Sequence, residues 1–149
     1  IATALAEQEL KTIILPEDAT LAALDGYLRR MLISLVDHAR MFDDPLLFED
    51  LPGQQQENAA RIHRLQQNLE RLFTQLRQQG IFRPELDGQT LQDVIDLIMF
   101  SHVGWQQRVS VSRQATYAAV DDMMRMQWLL LRPYLTEKGC AEREALAVK

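Results

Sequence analysis

Three histidines, one cysteine and two pairs of adjacent aspartates are the residues of this 149-residue chain with chemistry to offer. A metal centre in a helical bundle needs Glu-x-x-His pairs on facing helices, or a second His or Cys about one turn away. His38, His63 and His102 each stand alone by that criterion. Cys140 is the only thiol, so neither a metal site nor an internal disulfide is expected. Asp43-Asp44 and Asp121-Asp122 invite an acid/base reading, but neighbouring residues of a helix point to different sides. Asp43-Asp44 also lies beside Pro45, where aspartates serve the local backbone of a turn. No Gly-x-Ser-x-Gly elbow and no Gly-rich phosphate loop is present. We assign no catalytic residue and no cofactor, so function must come from binding.

Two sets of residues suit binding. Met31, Leu35, His38 and Phe42 fall on or near one stripe of a helix, with Phe73, Met99, Phe100, His102 and Trp105 available as opposite walls. Apolar walls with a few placed polar groups are the composition of a small-molecule pocket, and they are equally the composition of a filled core. The second set lies on two helices that are apolar nearly all round. Val94, Ile95, Leu97, Ile98, Met99, Phe100, Val103 and Trp105 exceed one stripe, as do Ala115, Ala118, Ala119, Met123, Met124, Met126 and Trp128 with the leucines that follow. Such helices must bury two faces, and left exposed they would form a patch larger than monomers tolerate. Phe100, Val103, Ala119, Met123, Met126 and Trp128 are therefore expected at an oligomer interface.

The elements that position these residues are long helices. Leu21, Leu24, Leu28, Met31, Leu32, Leu35, Val36 and Ala39 recur at spacings of three and four behind the start signal Pro16-Glu-Asp-Ala-Thr20. Asp43-Asp-Pro45 breaks that helix, since proline pushes its predecessor out of helical geometry. A second stripe, Ile62, Leu65, Leu69, Leu72, Phe73 and Leu76, runs to Gly80, a left-handed C-cap, with Ile81-Phe82 packing back. Helices near 89–108 and 112–135 follow. Only Val109-Ser-Val-Ser112 alternates like a strand, so the expected fold is an all-α bundle of about six helices.

The net charge of −5 is uneven: residues 1–58 hold eleven acids against four bases, whereas 59–83 hold five arginines against one glutamate. A self-sufficient nucleic-acid binder shows a basic excess instead, and the arginines read as a solvated helix face. No signal peptide and no apolar run of the ~18–20 residues needed for a bilayer appears. A lone Cys140 in an exposed tail fits a reducing compartment, and a cytoplasmic protein is expected.

The segment Trp128-Leu-Leu-Leu-Arg-Pro-Tyr-Leu-Thr-Glu-Lys-Gly139 closes the last long helix with a proline, an aromatic and a glycine stop. With Tyr27-Leu-Arg-Arg-Met-Leu32, the bend Met41-Phe-Asp-Asp-Pro-Leu-Leu-Phe48 and the helix end Leu76-Arg-Gln-Gln-Gly-Ile-Phe82, in that order, it resembles the C-terminal domain of TetR-type bacterial transcriptional repressors. The resemblance implies that 1–14 end a linker helix and that 15–149 form an effector-binding and dimerisation domain. It also implies a homodimer through a four-helix bundle, a small apolar or amphipathic effector, and operator DNA read by a helix-turn-helix ahead of Ile1. A stand-alone helical adaptor and a hydrophobic-ligand carrier are the alternatives.

Overall fold

Thr20 opens the first helix by accepting the Ala23 backbone N–H on its hydroxyl at 3.0 Å, which satisfies a donor that the helix itself cannot. From this cap the chain builds α1 (Leu21–Met41), α2 (Gln54–Gln78), α3 (Gly88–Ser112), α4 (Tyr117–Leu131), a 3-10 turn (Arg132–Tyr134) and α5 (Glu137–Ala147), in a computed structural model. The structure describes residues 19–41, 54–112 and 117–147; the side chains of 37–41, 54–58, 109–112 and 117 fall outside that description. The expected linker helix at 1–14, the start signal 16–18 and the bend at 42–48 also lie outside the described residues. Among the described residues the fold is all-helical with five α-helices rather than six, and the alternating 109–112 segment closes α3 as helix.

Most of the α1 stripe is buried as its spacing requires: Leu21, Leu24, Leu28, Met31, Leu32 and Val36 face the core with Tyr27, while Leu35 is half-buried and the Ala39 side chain lies outside the described ones. On α2 the stripe sinks gradually. Ile62 is exposed, Leu65 is half-buried, and only Leu69, Leu72, Phe73 and Leu76 are enclosed. Gly80 ends α2 at φ +77°, a conformation that L side chains rarely adopt. Its N–H bonds to Arg77 O at 3.0 Å and the Ile81 N–H to Leu76 O at 2.9 Å, the double closure of a Schellman motif. Phe82 then turns back edge-on to Phe73 with ring centroids 5.2 Å apart, worth ~0.5–1.5 kcal/mol beyond the area buried. Arg77 holds the next turn through Leu86 O at 3.0 Å and Asp87 Oδ1 at 2.9 Å.

The end of the chain departs from expectation. Gly139 was expected as a helix stop, yet α4 already ends at Leu131, and Gly139 lies in the first turn of α5. It is buried there because a Cβ would stand 2.2 Å from Ile81 O and 3.0 Å from Leu135 Cδ2. The glycine is needed for close approach of two backbones, a purpose that leaves no local signature. Thr136 caps α5 by accepting the Gly139 N–H at 3.0 Å. Cys140 is exposed, as expected, and lies within helix α5.

Gly139→Ala should therefore lower stability by about 2 kcal/mol through overpacking against a backbone that cannot yield. Gly26→Ala, in mid-helix with no atom within 4 Å of its added Cβ, should raise stability by roughly 0.5–1 kcal/mol. Urea denaturation of both variants checks the opposite signs.

Candidate functional site

Helix α3 divides its apolar residues between two faces. Leu91, Val94, Ile95, Ile98, His102 and Trp105 are buried, while Leu97, Phe100 and Val103 are exposed at 51%, 70% and 50%. At about 100° per residue, Phe100 lies nearly opposite Ile98 and His102, so one helix carries an interior wall and an apolar exterior. Helix α4 repeats the division. Val120, Met123, Met124, Gln127, Trp128 and Leu131 point inward, whereas Met126 and Leu129 are exposed at 44% and 61%.

His102 is the unusual member of the inner face. Its side chain is 3% exposed, Ile98 and Trp105 flank it at helical spacing, and neither ring nitrogen has a hydrogen-bond partner. Burial disfavours the imidazolium and pushes the pKa down to about 4, so the ring is neutral at pH 7. A neutral imidazole has one N–H donor and one bare nitrogen acceptor. Leaving such groups unmet costs on the order of 1–3 kcal/mol each. His102 is thus a buried, neutral polar point in an apolar surrounding.

A second orphaned atom was not foreseen from the sequence. Ser101 Oγ donates its proton to Ile98 O at 2.7 Å and must accept from Gln127 Nε2, also at 2.7 Å. That arrangement fixes the amide and leaves Gln127 Oε1 buried without a partner. The signal available was a glutamine interrupting the apolar spacing Val120, Met123, Met124, Leu131.

Of the expected pocket residues, Met31, Phe73 and Trp105 belong to one buried cluster, with Leu35 and Met99 partly buried against it. The His38 side chain and Phe42 lie outside the described residues. Of the expected interface residues, Phe100, Val103 and Met126 are exposed and Ala119 is partly buried. Met123 and Trp128 are 4% and 6% exposed and belong to the chain's own buried core. Trp128 donates its indole N–H to Asp25 Oδ1 at 2.9 Å, tying α4 to α1, and Arg143 of α5 stacks over its ring at 5.2 Å. Asp25 also neighbours Arg29, whose guanidinium pairs with Asp121 of α4. Helices apolar all round show that both faces are apolar, and they do not reveal which face turns inward.

Among the described residues no helix is long and apolar enough to cross a membrane, and no cluster of three His, Cys, Asp or Glu side chains could hold a metal ion. Helices α3 and α4 thus carry buried unpartnered polar atoms on the inner face and exposed apolar side chains on the outer one. The TetR family model, bacterial transcriptional repressor, matches residues 7–142, and the chain belongs to that family of transcription regulators. No curated protein and no solved structure matches the chain.

Because the folded pKa of His102 is depressed below the unfolded value of about 6.5, the unfolded chain takes up a proton first as pH falls. The stability contribution of the neutral ring is present above pH 6.5 and drains away between 6.5 and 4. His102→Leu should therefore flatten the acid limb, with wild type losing about 2 kcal/mol more than the variant between pH 7 and 4.5. Urea midpoints at the two pH values measure the difference.

Proposed function

We propose that this chain is the effector-sensing and dimerisation domain of its repressor, with operator DNA read by a helix-turn-helix joined ahead of Ile1. The observation that carries the reading is the two-faced helix α3, with His102 unpartnered on one side and Phe100 exposed on the other. A molecule meeting His102 touches the same rigid rod that a second copy would grip through Leu97, Phe100, Val103, Met126 and Leu129. Occupancy can then bias how two copies sit against each other, provided the effector binds one arrangement more tightly than the other. Met31, Leu35, His38, Phe42, Phe73, Met99 and Trp105 are the further pocket residues of this reading. Its interface is the exposed set together with Ala119. The acidic balance of the chain supports placing DNA contacts elsewhere.

The reading is tested at the exterior face. Phe100→Asp puts a charge in the middle of the apolar stripe without entering the core, so it should leave the helical content unchanged. Light scattering on wild type should give twice the chain mass, and the variant should dissociate at least ~100-fold more readily, as expected for a charge desolvated at an interface core. A wild-type monomer would instead favour the adaptor reading, and a variant dimer of unchanged stability would remove this interface.

A further inference from the structure

The charge inventory of the interior limits what can bind there. Among the described residues, the buried class holds no Asp, Glu, Lys or Arg; its polar groups are those of His102, Gln127, the Tyr27 hydroxyl and the two tryptophan indoles. Among the described residues no buried cation is available to balance an anionic ligand, and no buried anion to balance a cationic one. A charge brought into such a region is desolvated without compensation.

The orphaned atoms narrow the chemistry further. The His102 ring presents one donor and one acceptor, both unmet. Gln127 Oε1, on the neighbouring helix α4, is an acceptor that only a donor can satisfy. A hydroxyl group both donates and accepts, so it suits every one of these atoms. A carboxylate can only accept, which leaves the bare imidazole nitrogen and the amide oxygen unmet. A hydrocarbon meets none of them.

We propose that the effector is an uncharged, largely apolar molecule carrying a hydroxyl group, and that His102 recognises that hydroxyl. This rests on the effector-sensing reading above and adds the class of ligand to it. His102 acts by hydrogen bonding alone, the ring remaining neutral, and the apolar walls supply the remaining contact.

Three probes of one shape separate the possibilities: 2-naphthol, 2-methylnaphthalene and 2-naphthoate, compared by equilibrium dialysis against the purified protein at pH 7. We expect 2-naphthol to bind at least ~10-fold more tightly than either of the others. His102→Leu should abolish that preference while keeping the affinity for 2-methylnaphthalene. Imidazole 15N shifts of the wild-type protein give a readout independent of the variant's folding: they should move with 2-naphthol and stay in place with 2-methylnaphthalene. Equal binding of 2-naphthol and 2-methylnaphthalene with unmoved nitrogens overturns the hydroxyl assignment and leaves an apolar pocket standing. Preference for 2-naphthoate overturns it in favour of an anion. Failure of all three to bind removes the pocket reading and the proposal together.

Discussion

The close passage of the 79–83 segment over the 132–139 segment is the constraint on which the arrangement of helices depends. Ile81 O accepts the Thr136 N–H at 3.0 Å, and Tyr134 O accepts the Arg83 N–H at 2.8 Å, which makes the antiparallel bridge Phe82–Leu135. The single Thr136 hydroxyl proton is shared between Gly80 O and Ile81 O, and Lys138 Nζ reaches Gln79 O at 3.0 Å. Gly139 permits the approach by having no Cβ. This junction fastens the end of α2 and the start of the turn into α3 to the end of α4 and the start of α5. With those ends held, the long helices have little freedom to slide past one another.

Side-chain bonds higher in the bundle complete the positioning. Trp128 to Asp25 joins α4 to α1, Asn68 to Tyr27 joins α2 to α1 at 3.2 Å, and Gln127 to Ser101 joins α4 to α3. The Tyr27 hydroxyl is raised above its ordinary pKa by burial, partly opposed by the Asn68 bond, so it stays protonated throughout the physiological range. Each bond pairs a polar atom that would otherwise be costly in an apolar setting, and a one-residue slip of a helix would break it. His102 and Gln127 Oε1 are exceptions to this satisfied pattern. Their orphaned state stands out because the surrounding structure is otherwise careful about its polar groups.

Much of the fold was legible in the amino-acid order because its signals are local. The α1 stripe, the Gly80 cap and the return of Ile81-Phe82 each depend on residues within a few positions of one another, where dihedral preference and helical spacing decide the outcome. Gly139 and α5 were missed for the opposite reason. A glycine near a proline and an aromatic looks like a stop, and only the distant Ile81 carbonyl shows that it is a contact point. Trp128 was similarly ambiguous, since an apolar residue on an apolar helix fits either face until Asp25 is seen beneath its indole.

The amino-acid sequence by itself therefore determined the helical class, the limits of α2 and the surplus of apolar side chains on α3 and α4, because periodicity and caps act over one or two turns. It also placed His102 among apolar neighbours. Tertiary structure alone decided that both His102 nitrogens are unmet, that Phe100 and Leu129 face out, and that Met123 and Trp128 face in. Those outcomes depend on which helices pack together and in what register, and contacts between residues 26 to 103 positions apart set that register.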